Sequence, residues 1–179
     1  VEGDRIRLGA RTYFTRNDPW RVQFYTAYGF KDHQVKYGAE ARFMFNRVNR
    51  FTLGAGTRRD ILQLGVQLTN DDGIMARTFA SSTIFARGDN ASLSSLNQTN
   101  LFTSIEPWKN FQIRLDGTMQ SIKSANPDGF SLMYYKDGAL RKTTNDSHFT
   151  LSLIARPGAK FSQTGIDRYE HGTLAPTIV

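Results

Sequence analysis

The chain has 179 residues, 23 Lys and Arg against 16 Asp and Glu, a net charge of +7 and a hydrophobic fraction of 39%. That length suits one domain or a piece of one, and it buries a core without disulfide or metal staples. With no cysteine, thiol catalysis, disulfide scaffolds and Cys-based zinc or iron–sulfur sites are excluded, and no stretch approaches the ~18 apolar residues of a membrane helix.

Taken in chain order, residues 4–14 alternate cleanly: Ile6, Leu8, Ala10, Thr12 and Phe14 on one face, Arg5, Arg7, Gly9, Arg11 and Tyr13 on the other. After the turn chemistry of Asn17-Asp-Pro, residues 20–30 repeat the pattern. Trp20, Val22, Phe24, Thr26, Tyr28 and Phe30 oppose Arg21, Gln23, Tyr25, Ala27 and Gly29. A short Lys-Asp-His connection leads to residues 34–45, where Val35, Tyr37, Ala39, Ala41, Phe43 and Phe45 oppose Lys36, Gly38, Glu40, Arg42 and Met44. Short connections between alternating runs predict an antiparallel meander.

The run 51–60 sets Phe51, Leu53, Ala55 and Thr57 against Thr52, Gly54, Gly56, Arg58 and Asp60. Residues 61–69 extend it or start another strand. The segment 74–86 is strand-like, whereas the Ser/Asn-rich stretch 88–97 reads as a loop or strand edge. The pattern resumes at 98–106, turns at Pro107-Trp-Lys-Asn and returns at 111–121, where Phe111, Ile113, Leu115, Gly117 and Met119 oppose Gln112, Arg114, Asp116, Thr118 and Gln120. Asn126-Pro-Asp-Gly and Lys136-Asp-Gly mark turns around the short run FSLMYY. A last strand at 148–156 sets Phe149, Leu151, Leu153 and Ala155 against His148, Thr150, Ser152 and Arg156. No ten-residue stretch carries helical periodicity, so the chain reads as all-β.

Five of these runs reach nine residues or more; strands of soluble domains average about five or six, and a tilted strand crossing a bilayer needs about 9–11. Aromatics gather near run ends while Ala10, Thr26, Ala39, Ala41 and Ala55 fill the centres. That grading matches the girdles of an outer-membrane barrel; a soluble sandwich or ligand-binding barrel would want bulky residues mid-strand instead. The expectation is an antiparallel up-and-down transmembrane β-barrel, or a section of one, with about eight strands or more.

On that reading the opposite faces line a lumen. They carry Arg5, Arg7, Arg11, Arg21, Lys36, Arg42, Arg58 and Arg114, with Glu40, Asp60 and Asp116. The plain reading is a salt-bridged, solvated face. The sharper one is an anion-selective lumen or a site for acidic ligands such as lipopolysaccharide phosphates. Sixteen of the basic residues are Arg and seven Lys, a bias toward bidentate contacts. A pI near 9.9 would ordinarily raise nucleic acid, but the arginines are dispersed over alternating positions without the stacking aromatics of single-strand binders.

Little chemistry is on offer. Asp146-Ser147-His148 clusters an acid, a hydroxyl and an imidazole, but neighbours in a strand point to opposite faces, and turn chemistry is the ordinary explanation. As a lipid-hydrolase dyad it would lose activity in His148→Ala. Asn70-Asp-Asp-Gly reads as a hairpin turn rather than a calcium loop. No cofactor, metal or catalytic residue is expected.

The opening EGDRIRLGARTYF, then WRVQFYTAYGFKDHQVKYGAEARFMFNR with AYGFKD close before KYG, and the later ARPGAKF resemble a Bacteroidota-type outer-membrane family of unknown function. Its members carry an N-terminal carboxypeptidase-regulatory-like β-sandwich followed by a large barrel, and the resemblance spans about residues 2 to 179. It implies a bacterial outer-membrane location, a barrel comparable to assembly-factor translocases, and contact with outer-membrane lipid including lipopolysaccharide and with other envelope proteins. It transfers no catalytic residue. The chain lacks the family's signal peptide and sandwich and stops at APTIV, where a further strand is due. The expectation is therefore a single barrel region that is a fragment, or the ordered part, of a longer protein. The alternatives are the barrel end of a TonB-dependent nutrient receptor and a soluble β-barrel that binds a small ligand.

Overall fold

The computed structural model describes residues 5–63, 93–127 and 131–171. They form strands and turns, with no helix. Seven long strands make one antiparallel sheet: β1 (Arg5–Arg11), β2 (Trp20–Gly29), β3 (Val35–Asn46), β4 (Phe51–Gln63), β5 (Leu93–Trp108), β6 (Phe111–Ser124) and β9 (Thr143–Ala155). Each pairs with its neighbour in chain order. The hairpin β7 (Tyr134–Lys136) and β8 (Ala139–Arg141) is an excursion between β6 and β9, and β10 (Phe161–Thr164) with β11 (Asp167–Glu170) forms a second hairpin after the sheet. Among the described residues the sheet ends at β1 and β9 without closing, and it holds seven strands rather than the eight or more expected.

Connections at the two ends of the sheet differ in length. One end carries residues 12–19, the four-residue turn 47–50, the two-residue turn Lys109–Asn110 and the link 156–160. The other carries 30–34, and there 29 residues of sequence separate the end of β4 from the start of β5 and 18 separate β6 from β9. The tight turns use residues that tolerate positive φ: Asn110 at 63° in the two-residue turn, and Asp137 and Gly138 at 54° and 74° in the β7–β8 turn.

Several boundaries move from their sequence expectation. The Ser/Asn-rich stretch is not a loop where it is described, because β5 begins at Leu93. There it is paired on one side with β4 (Gln63↔Leu93) and on the other with β6 (Ser94↔Ser124). Two flanking strands supply backbone partners that outweigh the weak strand propensity of Ser and Asn. Pro107 and Trp108 belong to β5 rather than to the turn. The register shifts between Ile105 and Trp108, and a proline, with no N–H to donate, is tolerated at such a bulge. The last long strand starts at Thr143, not at residue 148, so Asp146-Ser147-His148 lies inside a strand and not in a turn. Residues 64–69 and 74–86 and the Asp71-Asp72 motif lie outside the described residues.

Burial is inverted relative to a soluble sheet. The most buried side chains are Lys36, Glu40 and Asp116, at 2%, 1% and 1% exposure, joined by Arg21, Arg58, Asp60 and Arg114. Ile6, Leu8, Phe24, Phe43, Leu101, Leu115, Phe149 and Leu151 are exposed, Phe149 at 83%. The sheet curls toward its charged face. Adjacent residues Asp167 and Arg168 reach Arg11 on β1 and Glu106 on β5, strands that a flat sheet would hold roughly 19 Å apart at about 4.8 Å per strand.

Glycine makes the curl possible at two places. Tyr25 pairs directly with Gly38, and Phe102 with Gly54; each ring lies flat across its glycine, where a Cβ would overlap it. The rings thus cover backbone that would otherwise be bare, the aromatic-on-glycine device of curved sheets. Gly54→Val therefore destabilises the fold by about 1–3 kcal/mol. The measurement is the urea midpoint of unfolding, and Gly54→Val/Phe102→Ala should recover part of the loss.

Candidate functional site on the polar face

Alternation along each strand puts all eleven sequence-selected residues on the concave, charged face, where they divide into three groups. At the end of the long connections, Asp60 on β4 takes Arg5 of β1 at 3.0 Å and the Tyr25 hydroxyl of β2 at 2.7 Å. The Arg7 guanidinium stacks 3.6 Å from the Tyr25 ring centre, and Arg58 is buried beside both Tyr25 and Asp60. Lys36 sits at the rim and donates to Asp32 in the β2–β3 turn at 2.6 Å.

In the middle, pairing is local. Arg114 forms a two-pronged contact with Asp116, both bonds 2.8 Å, and Arg42 donates to Glu40, which also accepts from Gln23 at 3.2 Å. Residues two apart in a strand share a face, so these pairs need no help from other strands. The Arg114 guanidinium lies 4.3 Å from the Phe102 ring centre.

At the short-turn end, Arg11 and Arg21 both bind Asp167, and Arg21 also donates to the Thr12 carbonyl. Asp167 belongs to the β10–β11 hairpin, which lies across this end of the polar face. Arg168 pairs with Glu106 of β5, the Ile166 N–H donates to the Asp18 carbonyl at 3.0 Å, and Arg50 donates to the Ile166 carbonyl at 3.1 Å. Gly165, at φ 60°, packs so closely that a Cβ would fall 2.5 Å from the Asp18 carbonyl oxygen. The Tyr169 phenol, hydrogen-bonded to Tyr13 and near Asp167, is raised above its ordinary value.

This hairpin and its anchors, Asp18, Arg50, Glu106, Asp167 and Arg168, are what the sequence reading missed. The available signal was Gly165 between two short runs, FSQT and DRYE. Of the histidines, His148 bonds Asp146 at 2.9 Å on the polar face, while Ser147 lies on the opposite face; His33 meets Tyr28, and His171 meets Ser162. Among the described residues no hydroxyl joins Asp146 and His148 in a nucleophilic arrangement. Among the described residues no three His, Asp or Glu side chains come together as a metal site.

Compared with protein-family models, curated proteins and solved structures, the chain finds no match.

The loop that receives the hairpin is itself held by Asp18, whose carboxylate accepts from the Phe14 and Thr15 N–H groups at 3.0 and 2.9 Å and from the Thr15 hydroxyl. These bonds, the Thr15 hydroxyl first, hold the Asp18 carboxyl below the usual carboxylate range. A depressed pKa stabilises above the unfolded value and loses that contribution as pH falls through the folded one. Hydrogen-exchange protection of the Phe14 and Thr15 amides should therefore hold from pH 7 to about 4 and drop below it. Loss already at pH 6 would contradict this assignment.

Proposed function

We propose that this chain is a section of a transmembrane β-barrel of a bacterial outer membrane, with a structural, transport or envelope-assembly role and no catalytic centre of its own. The observation that carries the reading is the inverted burial: charged side chains are buried inside the curl beside a smaller apolar set that includes Phe102, Leu96 and Ile154, while Ile6, Leu8, Phe24, Phe43, Leu101, Leu115, Phe149 and Leu151 are exposed outside it. In water such a surface would be a large contiguous apolar patch; in lipid it is the required one.

Further geometry supports it. Strands β2 to β6 and β9 run from 10 to 16 residues, enough to cross a bilayer at a tilt. At the short-turn end the aromatics join laterally: Phe14 with Trp20, Phe43 with Phe45, Phe45 with Phe51, and Trp108 with Phe111, at ring separations of 4.7 to 5.7 Å. Tyr28 and Phe30 stand at the other end, with Ala39, Ala41 and Ala55 between. Outer-membrane barrels have short periplasmic turns and longer outer loops, which assigns the turns 47–50 and 109–110 to the periplasmic side. The resemblance to the Bacteroidota-type family is in keeping with this location. The outer face would meet lipid, including lipopolysaccharide.

The test is refolding from urea. The full chain should gain a β-type circular dichroism spectrum when diluted into micelles or vesicles and aggregate on dilution into plain buffer. A monodisperse β-structured species in detergent-free buffer would sink the proposal.

A further inference from the structure

Between the β10–β11 hairpin and the sheet lies a cavity of about 350 Å³, within the range of small-ligand sites. Arg42, Arg50, Arg114, Arg156 and Arg168 contribute to its wall, with Glu106 as an acid and Phe102 as an apolar side. Asp167 also borders it but is engaged from behind by Arg11 and Arg21. Arg42 and Arg114 are backed by Glu40 and Asp116. Counting Arg11, Arg21, Arg42, Arg50, Arg114 and Arg168 against Glu40, Glu106, Asp116 and Asp167, six guanidiniums face four carboxylates, an excess of two positive charges.

A second observation points the same way. Glu106 is shared: Arg168 contacts both its oxygens, and Arg50 approaches at 3.5 Å. Arg50 Nη1 is buried without a hydrogen-bond partner, although a buried donor ordinarily has one. Burial, and next the neighbouring Arg168 charge, pull the Arg50 proton affinity down against Glu106 and Asp167. An anion in the cavity would supply both the missing acceptor and the missing charge.

We infer that this cavity binds a small phosphate-bearing anion. Phosphate carries up to two charges and several acceptor oxygens, and it matches guanidinium forks in pairs. A single carboxylate would leave more of the excess uncompensated. The cavity lies at the short-turn end, which the barrel reading puts on the periplasmic side. The ligand is then a soluble phosphate or phosphomonoester rather than a lipopolysaccharide phosphate, which belongs to the outer leaflet at the opposite end. The site rests on the barrel reading only for that choice of source. A chain that folded in plain buffer and bound phosphate would break the membrane reading and leave the site standing.

Calorimetric titration of the full chain, refolded in zwitterionic detergent without phosphate, tests it. Inorganic phosphate and glycerol 3-phosphate should each bind saturably. Arg50→Gln should weaken binding by about tenfold or more, consistent with loss of a charge-assisted pair, while Lys31→Gln at the far end leaves it unchanged. Circular dichroism confirms folding, and Arg156→Gln gives the same readout if Arg50→Gln does not fold. Absence of saturable binding by the folded chain, or undiminished binding by folded variants, overturns the inference. Binding of a short-chain phosphatidic acid without binding of the soluble phosphates overturns it as well.

Discussion

Burying charge is the constraint on which the rest of this structure depends. A curled sheet with Lys, Arg, Asp and Glu on its concave side withdraws those groups from bulk water, and an unpaired buried charge is costly enough to prevent folding. The strands meet this in two ways. Arg42 with Glu40 and Arg114 with Asp116 are neighbours two residues apart, and each pair forms within its own strand. Asp60 draws Arg5 from three strands away, and Asp167 and Arg168 of the separate hairpin reach β1, β2 and β5. Those longer contacts are satisfied only when the sheet is curled, so electrostatics and curvature enforce each other. Gly38 and Gly54 permit the same bend by letting Tyr25 and Phe102 lie flat.

The convex face follows from that arrangement. With the charged groups committed to the inside, the alternation of a strand leaves residues such as Leu8, Phe24, Phe43, Leu101, Leu115 and Phe149 outside, a surface that on the proposed reading an apolar solvent makes favourable. The buried charged groups are thereby separated from the apolar surface, which on the proposed reading meets lipid. The β10–β11 hairpin adds something that alternation alone does not require. Its second strand opens with an acid and a base, Asp167 and Arg168, so one two-residue unit ties β1 and β2 to β5 across the concavity and borders the cationic cavity.

Face assignment was legible from sequence because a strand's period of two is a local property: one misplaced residue would have exchanged Lys36 with Tyr37. The selected basic and acidic residues accordingly share one face. What was not legible depends on partners distant in the chain. Residues 93–97 look like a loop by composition and become strand because β4 and β6 flank them. Pro107 reads as a turn and is absorbed by a bulge. The four-residue strands β10 and β11 are too short to carry a periodic signal, and their anchors Asp18, Arg50 and Glu106 lie far off in the chain, Asp18 148 positions from the Ile166 that it holds. The cavity was hidden for the same reason, since its wall combines four strands with that hairpin.

The absence of cysteine allows the central claim, that the apolar face meets lipid and the charged face does not, to be tested directly. Single cysteines introduced at Ala39, Ala41 and Ala55 on one face, and at Gln23 and Ser104 on the other, can carry a small fluorophore in chains refolded into vesicles. The account predicts strong quenching by brominated lipid at the three alanine positions and weak quenching at the other two. Equal quenching on both faces, or free access of the alanine positions to an aqueous quencher, would contradict it.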